Sequence, residues 1–578
     1  MEKDEKLVAI RHTLAHLLAA SAGAIYKFDN IKLTLGPAVD NGFYYDIDFL
    51  DEKISDADLK KLEDTMRKLL PKWTKWEHKE MTKEEALLFF KNEYKAELIK
   101  EISERGEKIT AYTCGGFTDL CRGGHAENPS KDISPDAFKL DRVAGAYWRG
   151  NEKNKMLTRI YGLAFATKEE LDAYLMQREE AEKRDHKKLG RELGLFMFHE
   201  TAPGMPYWLP KGLILYKELE NYWRKRHAEL GYQEIASPLV NKSELWKISG
   251  HWDHYKDDMF IADMGENEVY GIKPMNCPNA MIVFKSMQVS YKDLPLRLSD
   301  TDRLHRYERS GTLNGLLRCR SFQQDDSHNF ITENMIAEEC DKIIEICKEF
   351  YGILNLEYKF RFGTRPKEYM GDIETWNKAE EALRNILDNS DKEYDIAEGD
   401  GAFYGPKIDI GMTDIIGRYW QMGTIQLDFQ QPRRFELEYI DKDGTRKTPV
   451  VIHRVIYGSL ERFIGILIEH TAGAFPLWLS PVQVKVIPVR TNHNEYAKEV
   501  FELLKENNIR AELDDADENL GGKVRDAKNN KIPYWIVIGD KEVQADEVTL
   551  ESRDSGNIGQ ISKEELVVKL SEEIKTKK

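Results

Sequence analysis

The chain has 578 residues, a length that suggests about four domains and room for several sizeable cores. Apolar residues at 41% and charged residues at 32% exclude a disordered or fibrous chain, and a net charge of −16 excludes indiscriminate nucleic-acid binding, though a specific RNA partner needs only local basic surface. Six cysteines are too few for a disulfide framework and fit a reducing cytoplasm; with no run of about 18 apolar residues, no membrane span is expected, and the start M-E-K-D-E-K lacks the features of a secretory signal.

Residues 7–26 read as a helix carrying His12 and His16, which are four apart and share a face. Two strand-like runs then flank Asn41–Gly42, a hairpin signal. Acidic-basic helical stretches follow near 52–70 and 83–103, and a cysteine-glycine segment ends in C-R-G-G-H at 121–125. Residues 1–175 are taken as one α+β domain. His12-x-x-x-His16 with Cys121-x-x-x-His125 suggests either a four-ligand metal site or a hydrolytic pocket that positions a water. The charged stretch 168–192 reads as a helical connector, 176–195, whose run Lys183–Lys188 near Arg191 is an RNA-binding candidate or simply a solvated face.

From about 196 to 477 the chain is richer in strand patterns, aromatics and glycine. The stretch Arg306–His328 reads as strand, turn, strand, broken by Ser310–Gly311 and Asn314–Gly315. Alternate residues of a strand share a face, so Arg306 and Glu308 pair up, as do Arg318 and Arg320, and Asp326 and His328. Guanidinium forks suit phosphate oxygens, so the stretch reads as a floor for a polyphosphate or as a charged, solvated hairpin. Cys340 and Cys347 share a helical face with apolar neighbours and read as core. After Glu461–Arg462, apolar residues at helical spacing predict a buried helix. Residues 478–578 alternate strand and helix, which predicts a small α/β domain with a mostly parallel sheet.

Arg306-x-Glu308 with the following loop and Arg318 resembles motif 2 of the class II aminoacyl-tRNA synthetases, and G-S-L-E-R at 458–462 resembles motif 3. G-Y-Q-E-I-A-S-P at 231–238 resembles motif 1, which in this class lies at a dimer interface. The strings K-P-M-N-C-P (273–278), Q-D-D-S-H (324–328), V-I-H-R (451–454), G-H-W-D-H-Y-K-D (250–257) and G-A-F-Y-G-P-K-I (401–408) narrow the resemblance to the threonyl-tRNA synthetases, from about Arg11 to the C-terminus. It implies a multidomain α+β and α/β chain: an editing domain (1–175), a linker (176–195), an antiparallel-sheet catalytic domain (196–477) and an α/β anticodon-binding domain (478–578). The family often carries a ubiquitin-like module ahead of the first domain, and the short stretch before His12 leads to the expectation that this sequence does not include it.

The implied activity is ligation of threonine to tRNA(Thr) with ATP, in a cytoplasmic homodimer with no membrane partner. By resemblance, Arg306 holds the α-phosphate, Arg318 and Arg462 hold the outer phosphates, Glu308 reads the adenine amino group, and Phe322 stacks on the ring. Lys407 reaches the α-phosphate and carboxylate, and His251 takes the place of the base or proton relay in transfer. Gln324, Asp326, Tyr404 and Gln421 line the threonine side. Cys277, His328 and His453 are implied as ligands of one zinc ion, and Mg2+ comes with ATP; the spacing of the three alone would not single them out. In the first domain the resemblance favours the hydrolytic pocket over the metal, with His12, His16, Tyr45, Lys95, Asp119, Cys121 and His125 acting on seryl-tRNA.

The chain departs from the family at Asn279–Ala280, Ser321, Gln323 and Gly124, none of which removes a catalytic group. Glu551 stands where the family places an arginine that contacts anticodon bases, which puts anticodon reading in question. Two rival readings are an RNA-binding protein without activity and a ligase for another amino acid. The intact set of Arg306, Arg318, Lys407, Arg462 and the three zinc candidates opposes the first. Serine and proline enzymes share motifs 2 and 3 but lack the Cys277/His328/His453 set.

Overall fold

The computed structural model describes residues 2–266, 268–390, 392–414 and 417–577. It divides into two compact units, Met1–Glu179 and Glu180–Lys578, with the division falling inside the connector helix Lys168–Arg184.

The first unit is built on helix Glu2–Tyr26 and an antiparallel sheet. In the sheet, Lys32–Leu33, Gly42–Asp48, Met156–Ala164 and Phe138–Tyr147 lie in that order, and Ala38–Val39 also pairs with Gly42–Asp48. The hairpin predicted at Asn41–Gly42 forms, with Asn41 at φ 62°. Gly42 is required there because a Cβ would collide with the carbonyl of Gly162 on the adjacent strand. Leu14, Leu17, Leu18, Phe43, Tyr45, Ile47 and Ile160 form the core between helix and sheet. The stretch Asp4–Tyr26 is long and apolar enough to cross a bilayer, contrary to the expectation of no such run, but most of it is buried in this core. A smaller sheet, Glu77–Met81, Ile109–Cys114 and Phe117–Leu120, carries the cysteine-glycine segment at its end. The second predicted helical stretch is two helices, Lys83–Phe89 and Glu93–Glu104. The break comes at Asn92, whose side chain caps the second helix by accepting from the Tyr94 and Lys95 amides.

The second unit is organised on a large sheet with the order Gln233–Glu234, Leu296–Asp300, Ser321–Ile331, Val450–Ser459, Tyr419–Asp428, Lys407–Thr413, Lys359–Gly363 and Tyr394–Ala397. Pairing is antiparallel except at the two ends. One face carries the main core, with Leu215, Trp223, Phe350, Ile456 and Phe463 among its buried members. Helix Leu460–Thr471 is buried as its spacing predicted, and Cys340 and Cys347 are fully buried in helix Ile336–Gly352. The opposite face carries the functional pocket and, beside it, helix Cys277–Lys285 packed on Leu296, Leu298 and Phe330.

The C-terminal sheet has the order Ala511–Leu513, Val484–Pro488, Tyr534–Ile538, Glu547–Ser552 and Gly556–Ser562. Its first three strands are parallel as expected, but the last two form an antiparallel hairpin, so the sheet is mixed.

Candidate active sites

The pocket of the second unit has a volume of about 300 Å³ and is lined from three neighbouring strands. Gln324, Asp326 and His328 alternate along Ser321–Ile331 and face it together; His453 and Val455 do so from Val450–Ser459, and Gln421, Thr424 and Gln426 from Tyr419–Asp428. The sequence therefore needs no loop to place these groups, because the pleat does so.

Cys277, at the first turn of its helix, meets His328 and His453, which are directly paired across their strands. Their ligand atoms lie within 4.8 Å of one another and all three side chains are buried. His453 Nε2 lies 2.9 Å from Asp428 Oδ2, which leaves Nδ1 free to face a cation. His328 Nδ1 is buried without a partner. One sulfur and two imidazoles, one of them with an orphaned nitrogen, fit a zinc ion with an open position. Asp326 accepts from Asn276 Nδ2 at 3.2 Å beside this triad. The Tyr404 ring stacks on His453, and its hydroxyl donates to Gln426 at 2.5 Å. Lys407 Nζ lies 2.9 Å from Asp409, which also accepts from Gln421 at 2.6 Å.

Arg306 lies over the Phe322 ring at 5.1 Å, held by Nε donating to the Pro274 carbonyl. Arg462 donates to the carbonyls of Leu317 and Gln421. Burial, and then the nearby charges of Arg318 and Arg306, push its pKa below the usual range. Arg306, Arg318 and Arg462 thus stand close enough to concentrate positive charge at one place. Glu308 sits 3.6 Å from Arg318.

The pocket of the first unit is a chain of direct contacts. His16 Nε2 is 3.2 Å from His12 Nε2, and Cys121 Sγ is 3.4 Å from His12 Nε2 and 3.3 Å from His125 Nε2. Behind His16, Nδ1 meets Asp119 at 3.0 Å, and Asp119 also receives the Tyr45 hydroxyl at 2.6 Å and Lys95 at 2.5 Å. Burial opposes the Cys121 thiolate, but hydrogen bonds from the three histidines outweigh it and hold the pKa down to about 3. Burial likewise opposes the His16 imidazolium, but Asp119 and Cys121 raise it to about 9. The contacts of the cluster thus favour a Cys121 thiolate beside a His16 imidazolium, next to the Lys95–Asp119 pair. Such an array can hold a water, move a proton and stabilise an oxyanion.

Family models match three parts of the chain: "Threonyl and Alanyl tRNA synthetase second additional domain" over residues 109–161, "tRNA synthetase class II core domain (G, H, P, S and T)" over 260–471, and "Anticodon binding domain" over 483–573. The threonine–tRNA ligase of Caldanaerobacter subterraneus is 51% identical, covering 98% of this chain and 87% of that protein. That of Clostridium botulinum strain Langeland is 51% identical over 98% and 89%. This chain belongs to the threonine–tRNA ligase family. A solved structure described as the RNA binding domain of threonyl-tRNA synthetase from Cryptosporidium parvum is 41% identical, with a TM-score of 0.65, over 67% of this chain and 98% of that one.

Within the threonine–tRNA ligase fold, the structure brings all the expected zinc and threonine residues to one pocket, and it corrects two details of the strand reading around it. Arg306 and Glu308 are not on a strand: pairing ends at His305, and a loop with two short 3₁₀ turns follows before Ser321. Arg320 does not share the role of Arg318; it is buried and donates to the carbonyls of Glu308 and Pro203, so it holds the loop. His251 is fully buried, with Nδ1 against Ser249 Oγ at 2.8 Å and Nε2 against Met275 Sδ at 2.9 Å, and its pKa falls to about 3 through burial and then His453 and Arg306.

Sequence reasoning missed Asp428, Asn276, Asp409 and Trp76, the last stacked on His125 at 3.9 Å. For Asp409 the string K-I-D-I-G carried a signal, since its alternation with Lys407 puts both on one face. The run Lys183–Lys188 is largely engaged: Arg184 donates to the His470 carbonyl, Asp185 caps helix His186–Glu192, and His186 is buried.

Proposed function

We propose that this threonine–tRNA ligase activates threonine at the pocket of its second unit and clears misattached serine at the pocket of its first. The observation that carries the first part is the convergence of three guanidinium groups beside a Cys-His-His triad. In adenylate formation the threonine carboxylate attacks the α-phosphate of ATP, taken with Mg2+, and pyrophosphate leaves. The chain aligns the reactants and neutralises developing charge. Arg306 serves the α-phosphate, Arg318 and Arg462 the outer phosphates, and Lys407 the α-phosphate and carboxylate. Phe322 and Glu308 hold the adenine. Cys277, His328 and His453 would hold zinc, which when bound supplies an open Lewis-acid position for the amino and hydroxyl groups of threonine. Asp326 accepts from that hydroxyl, with Gln324, Tyr404 and Gln421 beside it. Valine lacks the hydroxyl, so these groups would be left unpaired against it, a stronger rejection than the roughly 10²-fold an apolar pocket provides.

The aminoacyl group then passes to the 3′ end of tRNA(Thr). His251, buried with Nε2 3.8 Å from Cys277 Sγ, takes the place of the base or proton relay in this step. Serine passes the first pocket because it lacks only a methyl group. The first unit is the second sieve: His12, His16, Cys121 and His125 hold the water, while Lys95, Asp119 and Tyr45 hold His16 and the developing charge. We assign editing to residues 1–175, the linker to 176–195, synthesis to 196–477 and anticodon binding to 478–578. The exposed apolar Leu239 and Val240, just after motif 1, support a homodimer, and the sparse, unpaired cysteines support a cytoplasmic enzyme.

Amino-acid-dependent ATP–pyrophosphate exchange across all twenty amino acids, with zinc measured in the same preparation, tests the synthetic reading. Threonine as the best substrate with one zinc per chain is expected; a different amino acid or a zinc-free active enzyme would overturn it.

A further inference from the structure

The motif 2 loop must be held without a strand, because pairing has ended at His305, and its last turn Gly315–Leu317 leads directly into Arg318. The turn is closed locally by the Leu317 amide on the Asn314 carbonyl at 3.0 Å and by a bridge between Asn314 and Arg318, and two outside side chains meet peptide groups that these bonds leave over. One is Arg462, which donates from Nε to the Leu317 carbonyl at 2.9 Å. The other is His186, at the start of helix His186–Glu192 in the connector region. His186 is 1% exposed. Its Nε2 accepts from the Leu316 amide at 3.1 Å, and its Nδ1 donates to Glu469 Oε1 at 2.7 Å on the motif 3 helix.

Those two bonds define one tautomer: the carboxylate requires a proton on Nδ1, and the amide requires a lone pair on Nε2. Neighbouring contacts point the same way. Lys187 Nζ donates to Asn314 Oδ1 at 3.3 Å. A Cβ at Gly315, which has φ 51°, would collide with the His186 ring, so the loop closes directly on the imidazole. The backbone on either side of the Leu316–Leu317 peptide is thus clamped, by His186 at one amide and by Arg462 at the next carbonyl.

We propose that His186 is a positioning residue for the nucleotide: it fixes the Leu316–Leu317 turn and thereby aims Arg318 and Arg462 at the ATP phosphates. The proposal rests on the reading of those arginines as phosphate ligands. It makes the connector part of the ATP site.

The experiment is steady-state ATP–pyrophosphate exchange on the full chain, with melting temperature measured in parallel. His186→Leu keeps the bulk and removes both hydrogen bonds. It raises the KM for ATP on the order of tenfold, as expected for losing a buried bond, and leaves the KM for threonine within about twofold. His186→Gln, which restores an acceptor for the Leu316 amide, recovers most of the loss. An unchanged KM for ATP, a parallel rise in both KM values, or a glutamine variant no better than leucine overturns the proposal. If His186→Leu does not fold, Glu469→Leu is read instead, since it frees the imidazole to adopt the wrong tautomer and predicts the same selective loss. Arg318→Ala is the control. If it too leaves the KM for ATP unchanged, the phosphate reading has failed; if it raises KM while His186→Leu does not, only the positioning role falls.

Discussion

Asp428 and His453 are diagonal neighbours on adjacent strands: His453 lies opposite Gln426, and the Asp428 carboxylate reaches across to its Nε2 at 2.9 Å. That bond leaves Nδ1 as the ring nitrogen available to a metal beside Cys277 and His328.

Asp428→Asn tests the consequence. Asp428 Oδ1 also accepts from the Gln430 and Gln431 amides, which asparagine can still satisfy. An amide donating to Nε2 would move the proton to Nδ1, the atom needed for metal. Zinc affinity should fall by about 10–100-fold, measured by chelator competition, with ATP binding retained. Cys277→Ala should lose the metal and threonine activation together. A metal-free variant that activates threonine at the wild-type rate would reject the triad.

The editing prediction concerns the first unit. His12→Ala with Cys121→Ala should leave threonine activation intact and let seryl-tRNA(Thr) accumulate, since a missing methyl is worth only about 1–3 kcal/mol in the synthetic pocket. Hydrolysis of preformed seryl-tRNA(Thr) is the assay. Clearance by the double variant as fast as by wild type would place editing elsewhere.

Cys121 carries a pH prediction. A thiol held down to about 3 is a thiolate throughout the neutral range, so alkylation by iodoacetamide should be flat from about pH 5 to 8. An ordinary thiol would instead gain roughly tenfold per pH unit over much of that range. Above about 9 the His16 imidazolium is lost and the thiolate loses its partner. Cys277, Cys319, Cys340 and Cys347 are buried with raised pKa values, and burial raises Cys114 to about 11, so label found by mass spectrometry at pH 6 should sit on Cys121. Labelling that climbs steeply toward pH 9 would show an ordinary thiol.

Glu551 supplies a prediction about tRNA. Its carboxylate accepts from the Trp535 indole at 2.9 Å, so the side chain is a fixed anion and cannot fork onto a guanine as an arginine does. Charging tRNA transcripts with each anticodon base changed in turn should show looser discrimination at one base than in a relative with arginine there. Equal penalties in both enzymes would count against it.

What could be read in advance follows from range. Gln324, Asp326 and His328 were legible as one face because strand alternation is local, and the motif 3 helix because its apolar spacing is. The end of pairing at His305 was not, since the loop from Arg306 is shaped by Arg320 and His186, partners that no local pattern reveals. The hairpin Glu547–Ser552 with Gly556–Ser562 was missed because its outer strand is mostly polar and resembles a loop. Asp428 and Trp76 escaped for the same reason as each other: they act on a histidine far away in the chain, and only the fold makes them neighbours.

Asp325 is fully buried and accepts the amides of Ile456, Tyr457 and Gly458, pinning the turn into motif 3, while Asp326 points the other way into the substrate pocket. A single inserted or deleted residue within Ser321–Ile331 would exchange the two faces and deprive both places of their anion at once. The strand is therefore a poor place to graft a tag or reporter peptide, and an insertion there would be felt at two sites rather than one.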